Sequence, residues 1–270
     1  DYLIDVLTPD TMQQNLRTRL TTDFTGKSYD FARALGHEEY DCIFYPGELI
    51  TIFGPTGSSK TTLAHNIALG YNHIDDDIDE SQQLSTLYLS LELSDWYMHR
   101  RSLQIINGVD KATASRDYDS LYAKSADKLA HLSVQTVAPT IEQIRERILE
   151  LQPAMVIVDY IDLVETPKHC YSEYDQIKYI SHSLSSMAVQ QDMIIIQVSQ
   201  VSRDYSRNEV LDLYAGKGSG AIENASRKVI GLNGQAKSAK KTVNVFKNTD
   251  GEIFESEVEW TPSFRLRRTK

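Results

Sequence analysis

Cysteine is nearly absent. Cys42 and Cys170 are the only two among 270 residues, which leaves no disulfide framework or cysteine-based metal spacing and makes a reducing compartment the simpler setting. Long apolar runs are missing as well. No stretch of about 18 apolar residues occurs, so a helical membrane span is not expected. The opening Asp1-Tyr-Leu-Ile-Asp-Val has neither the basic start nor the apolar stretch of a secretory signal. It also lacks an initiator methionine, as expected of a fragment or processed chain with further domains beyond it. The third absence is a surplus of positive charge. A net charge of −10 argues against a surface coated in nucleic acid, because affinity for phosphates comes from clustered Lys and Arg. It leaves room for basic groups presented locally on a few loops. The remainder, 41% hydrophobic and 24% charged, is ordinary for a globular chain long enough for one large domain or two small ones.

Continuous runs rich in Ile, Val and Leu recur at Leu49–Phe53, Thr86–Leu91, Ala154–Val158 and Met193–Val198. Runs of that kind read as strands buried on both faces, as in a parallel sheet. Helix-length segments separate them. Thr140-Ile-Glu-Gln143 has the form of a capping box, and Ile141, Ile144, Ile148 and Leu151 follow at helical spacing. A second helix is predicted over Ser172–Gln191 and another starting at Lys60. This alternation predicts an α/β doubly wound, mostly parallel central sheet flanked by helices. After about Lys228 only strands remain, Val229–Leu232, Thr242–Lys247 and Ile253–Trp260, read as antiparallel strands added at the C-terminal end. The segment Thr8–Leu20 predicts a helix standing apart from the sheet, either folded on its own domain or reaching a neighbouring subunit. Asp75-Asp-Asp-Ile-Asp-Glu80 lacks the glycine and spacing of a calcium loop and is read as a solvated loop.

The chemistry begins with Gly54, Pro55, Thr56, Gly57, Ser58, Ser59, Lys60, Thr61 and Thr62, which follow the first strand and lead into a helix. They nearly spell the phosphate loop G-x-x-x-x-G-K-[ST]. Backbone N–H groups of such a loop converge on an anion at a helix N-terminus. Lys60 would reach the β- and γ-phosphates of a nucleotide and Thr61 would ligate Mg2+. Ser59 stands where the pattern has glycine, and its Cβ raises the cost of a left-handed backbone by roughly 1 kcal/mol. Taken alone, the loop leaves considerable room for a Ser/Gly-rich turn with a chance Lys-Thr. Three later strand ends add to it. Asp159 closes Ala154-Met-Val-Ile-Val and would sit in the magnesium shell. Glu92 ends Thr86-Leu-Tyr-Leu-Ser-Leu, placed to activate water or simply to favour the helix that follows. Gln200 ends Met193–Ser199, placed to sense the γ-phosphate or to cap its strand. The polar segment Val201–Gly220 carries Arg203, Arg207, Lys217, Gly218 and Gly220, composition suited to a loop that grips a phosphate backbone.

The order of these motifs resembles the motor domain of hexameric replicative DNA helicases of the DnaB type and their phage and mitochondrial helicase-primase relatives, from about Gly26 to Gly251. Ser90-Leu-Glu-Leu-Ser94 is similar to the family's S-L-E-M-S, Val156-Ile-Val-Asp-Tyr-Ile-Asp-Leu163 to its I-D-Y-L-Q-L segment, Val198–Arg203 to A-L-S-Q-L-N-R, and Lys217-Gly-Ser-Gly-Ala-Ile-Glu223 to R-[GE]-S-G-[AS]-I-E. The resemblance implies a RecA-like P-loop core over 26–270, preceded by a linker or subunit-contact helix over 1–25. It implies ATP and Mg2+ as cofactors, Glu92 as catalytic base, Gln200 as phosphate sensor, and Arg203, Arg207, Lys217, Gly218 and Gly220 as contacts to single-stranded DNA. Assembly as a ring, hexameric in the family, with primase and polymerase partners and a cytoplasmic setting (bacterial or phage-infected, or else the mitochondrial matrix) follows from the same likeness. The family's trans-acting arginine, in K-x-R-N-G, aligns with Lys247, and its lysine with Val245. A lysine lacks the bidentate fork, so slower hydrolysis or a substitute such as Arg265 or Arg267 is expected. Two other readings share the core: an ATPase of the recombinase or clock-regulator kind, related to RecA, RadA and KaiC, and a ring subunit that binds nucleotide with weak hydrolysis.

Overall fold

A computed structural model describes residues 27–168, 170–201, 219–235 and 237–269, together with Gln13 and Arg17. The buried apolar runs form one nine-stranded sheet. Its strands in chain order are β1 (Leu49–Gly54), β2 (Thr86–Ser90), β3 (Leu132–Gln135), β4 (Met155–Asp159), β5 (Ile194–Gln200), β6 (Lys228–Asn233), β7 (Lys240–Asn248), β8 (Glu255–Trp260) and β9 (Leu266–Arg268). They lie side by side as β9-β8-β7-β6-β1-β5-β4-β2-β3. From β6 to β3 every pairing is parallel, and β7, β8 and β9 continue the sheet antiparallel. One expectation is corrected here. The strand after Lys228 is not an antiparallel addition, because β6 runs parallel to β1 with Ile230 opposite Ile52. A long connection lets it return in the same direction, and residue pattern alone does not encode direction.

Helices cover both faces: α1 (Lys60–Ala68), α2 (Asp95–Asn107), α3 (Lys111–Arg116), α4 (Tyr118–Leu129), α5 (Ile141–Leu151), α6 (Glu173–Gln191) and α7 (Ser219–Ala225). Strand period two divides the core. Ile50 and Ile52 of β1 pack with Leu63 and Ile67 of α1, whereas Leu49 and Phe53 pack with Ile144 of α5 and Leu184 of α6. Each such buried side chain contributes about 1.5–3 kcal/mol of burial free energy. A polar seam crosses the second face. The Gln197 amide donates to the Thr51 hydroxyl (2.8 Å) and the Ser181 hydroxyl (3.0 Å), and Thr51 meets Ser226 at 2.7 Å.

Helix starts follow their caps. Thr140 accepts from the Gln143 N–H (3.2 Å) and Ser172 from the Asp175 N–H (3.1 Å). Only half of the capping box forms, because the Gln143 amide turns to Glu146 at 2.8 Å instead of back to the Thr140 backbone. The acidic run is also ordered beyond what was expected of a solvated loop. Asp77–Ile78 pairs with Tyr71–Asn72 in a small hairpin, and Asp76 accepts from Tyr71 (2.8 Å) and pairs with Arg265 (3.1 Å) and Arg267 (2.7 Å). Gln13 and Arg17 apart, the predicted N-terminal helix lies outside the described residues.

Candidate nucleotide site

Parallel order brings the carboxyl ends of β1, β5, β4 and β2 together, the place where open α/β sheets bind ligands. Gly54 is opposite Gln200, Val198 opposite Asp159, and Asp159 opposite Ser90. Residues far apart in sequence therefore line one cavity of about 530 Å³, among them Lys60, Thr61, Glu92, Asp159 and Gln200. That volume falls in the range of small-molecule sites.

The loop is built by two glycines and one serine that behaves like a glycine. Gly54 passes so close to β6 that a Cβ there would lie 2.3 Å from the Leu232 carbonyl oxygen. Gly57 has φ 80° and Ser59 φ 78°, both left-handed. Ser59 thus adopts the conformation that the family's glycine supplies without strain, and it opens α1 without a side-chain cap.

Lys60 is buried, and its ammonium donates to the Gly54 carbonyl (2.7 Å) and the Pro55 carbonyl (3.0 Å). Burial pulls its pKa down to about 8, against the opposing pull of Asp159, Asp162 and Glu92. Asp159 is buried at the end of β4, where the Tyr88 hydroxyl donates to its Oδ2 at 2.7 Å. Burial raises its pKa, while hydrogen bonds from Tyr88 and Thr61 and the charge of Lys60 hold it down. The Thr61 hydroxyl therefore lies close enough to the Asp159 carboxylate to influence it, and these two groups would hold a magnesium ion. Two buried polar atoms of this region have no partner among the described residues: the Ser58 hydroxyl and the Arg101 Nε. Orphaned donors beside a lysine held only by carbonyls suit an anionic ligand.

Glu92 is exposed to this cavity in the short turn between β2 and α2. Gln200 also lines it, its backbone N–H fixed by the Asp162 carboxylate at 3.1 Å. Four contributors went unread in the sequence. Arg101 projects from α2 with its guanidinium 4.4 Å from the Phe264 ring centroid and 5.0 Å from that of Tyr97. It lies between Met98 and Ile105 on the helix's buried stripe, and a charge on that stripe was the available signal. Trp260 and Phe264 bring aromatic faces, and Lys241 arrives on β7; these come from distant elements and carried no local signal.

Lys247 is placed far from this cavity within its own chain. It sits opposite Val229 at the other end of β7, and its ammonium donates to the Glu223 carbonyl. Both expected substitutes are paired within their own chain, Arg267 while remaining exposed. Arg265 is buried and donates to the Ile105 (2.7 Å), Ile106 (3.1 Å) and Asp76 (2.8 Å) carbonyls, closing the end of α2. Arg267 pairs with Asp76. Arg203, Arg207, Lys217 and Gly218 lie outside the described residues, and Gly220 falls in the first turn of α7.

A family model described as the DnaB-like helicase C terminal domain matches residues 41–267. Replicative DNA helicase DnaB of Treponema pallidum (strain Nichols) is 27% identical over 241 residues, 82% of this chain and 51% of that protein. The chain thus spans about half the length of that relative. Among solved structures, an ATPase domain superposes with a TM-score of 0.76 at 18% identity, covering 97% of this chain and 99% of that one. A DnaB-like replicative helicase, described with its interactions with primase, gives 0.70 at 18% identity over 84% of this chain and 58% of that one. Likenesses at this identity establish the fold, which is RecA-like.

Proposed function

Because the chain belongs to the DnaB-like helicase C-terminal domain family, we propose that it is the ATP-hydrolysing motor of a replicative DNA helicase that assembles as a ring and moves along single-stranded DNA. The observation that carries this is the meeting of Lys60, the Thr61–Asp159 pair, Glu92 and Gln200 in one cavity. A chance turn would not gather four strand ends.

Lys60 leaves its two carbonyls to hold the nucleotide's phosphate tail, with the loop N–H groups of Gly57–Thr62 around it. Thr61 and Asp159 hold Mg2+, which when bound neutralises charge on the β- and γ-phosphates. Glu92 takes the proton of the attacking water. Gln200 detects the terminal phosphate at the root of the 201–220 segment, whose Arg203, Arg207, Lys217, Gly218 and Gly220 track the DNA backbone. Trp260 and Phe264 offer flat faces to the base. Lys247, remote from its own subunit's nucleotide, acts on that of a neighbouring subunit. Residues 1–25 serve as a linker or subunit contact, primase is a partner as for the solved relative, and polymerase contact and a cytoplasmic setting follow from the replicative role.

The test is ATP hydrolysis with and without single-stranded DNA, for the wild type and Glu92→Gln, alongside electron-microscope images. DNA-stimulated turnover that the substitution abolishes, with closed rings, is the expected result. Rings without turnover would replace the motor with a nucleotide-binding scaffold, and filaments would point to a recombinase-type ATPase.

A further inference from the structure

A second buried lysine faces the nucleotide cavity without a counter-ion among the described residues. Lys241 is 3% exposed. Its ammonium donates to the Gln235 carbonyl (2.6 Å) and to the Gly57 carbonyl (3.3 Å), the latter in the phosphate loop. Among the described residues it makes no ion pair. Lys228 shows what this chain does with a buried lysine that has only a structural role: Glu48 meets it at 2.7 Å and Asp250 at 3.3 Å. A buried cation without such partners is costly. Burial lowers the pKa of Lys241 as well.

The arrangement repeats that of Lys60. Both ammonium groups rest on two backbone carbonyls, both touch the phosphate loop, and both line the same cavity. The backbone makes room for Lys241. Gly234 has φ 144°, and a Cβ there would stand 2.5 Å from the Lys241 Cδ. Glycine at the hairpin between β6 and β7 thus lets the lysine stem run past it to the loop.

From this geometry we propose that Lys241 is a second phosphate-binding lysine, acting on the nucleotide's phosphate tail from the same subunit that supplies Lys60. The proposal rests on the nucleotide reading given above. It supplies from within the subunit a positive charge near the phosphates, in a chain whose aligned trans position carries Lys247 in place of arginine.

Isothermal titration of the full chain with Mg–ATP tests it. The variants are Lys241→Met, Lys241→Arg and Gly234→Ala, with thermal melting of each in the absence of nucleotide. Loss of a charge-assisted contact predicts roughly tenfold weaker Mg–ATP binding for Lys241→Met. Lys241→Arg retains most of the affinity, and Gly234→Ala weakens binding by displacing the stem while keeping the charge. Affinity of the wild type falls more steeply with added salt than that of Lys241→Met. Unchanged affinity in Lys241→Met overturns the proposal, including when its melting temperature drops, for the lysine is then only a strut between hairpin and loop. Should Lys241→Met fail to fold, Gly234→Ala decides in the same two directions. Lys60→Met separates the two levels. If the wild type binds no Mg–ATP, or Lys60→Met binds it as well as the wild type, the nucleotide reading itself falls.

Discussion

The Tyr88 hydroxyl, fully buried, donates to the Asp159 carboxylate at 2.7 Å across the neighbouring strands β2 and β4. It is one of the groups that keep this buried acid from rising further in pKa. Tyr88→Phe should therefore destabilise the fold by about 1–3 kcal/mol at neutral pH. Asp159 already has a folded pKa above its ordinary value, so folding favours its protonated form, and stability is lost as pH rises through the folded value. The substitution raises that value again. Urea unfolding at neutral and at acid pH should show the deficit of Tyr88→Phe shrinking as the carboxyl takes up its proton.

Lys60 makes the opposite pH prediction. Its folded pKa of about 8 lies below the ordinary 10.5, so between those values the unfolded chain binds more protons and stability rises with pH. At pH 7 the buried ammonium costs up to about 3 kcal/mol. Lys60→Met should bind no Mg–ATP yet be no less stable than the wild type at neutral pH. Its advantage should close as the pH approaches 10.5. A variant less stable at pH 7 and unchanged at high pH would contradict this.

Ser59 holds a left-handed backbone at φ 78° without a cap in return. Ser59→Gly should raise stability by about 1 kcal/mol, and Ser59→Ala, which keeps the Cβ, should not. Thermal melting of the pair distinguishes relief of strain from loss of the hydroxyl.

Lys228 is wholly buried between Glu48 and Asp250 at the opposite end of β6 from the cavity. Glu48→Ala leaves its charge poorly compensated and should cost about 3–5 kcal/mol. Combining Glu48→Leu with Lys228→Met should recover most of that loss in denaturant unfolding, because two apolar groups replace two desolvated charges.

Much of this architecture is written locally. Leu49–Phe53, Thr86–Leu91, Ala154–Val158 and Met193–Val198 are buried on both faces, so their apolar runs mark strands, and each strand end names its polar residue. The half-buried edge strand Leu132–Gln135 and the three-residue Leu266–Arg268 leave no such run. Strand direction is equally silent, so the run Val229–Leu232 does not announce that it pairs parallel to β1. Within the site, Lys60, Thr61, Glu92, Asp159 and Gln200 follow from position after a strand. Arg101, Lys241, Trp260 and Phe264 do not, since they enter the cavity only through the packing of α2 and of the strands beyond β6.

The Gly54 carbonyl oxygen accepts from two donors, the Lys60 ammonium at 2.7 Å and the Val201 N–H at 3.3 Å. Val201 is the first residue of the segment assigned to DNA. The loop lysine and the start of that segment thus meet at a single atom. When Lys60 turns to a phosphate, that oxygen loses its stronger donor, and the longer Val201 contact is free to tighten. One oxygen therefore joins the phosphate-loop lysine to the first residue of that segment within a single domain.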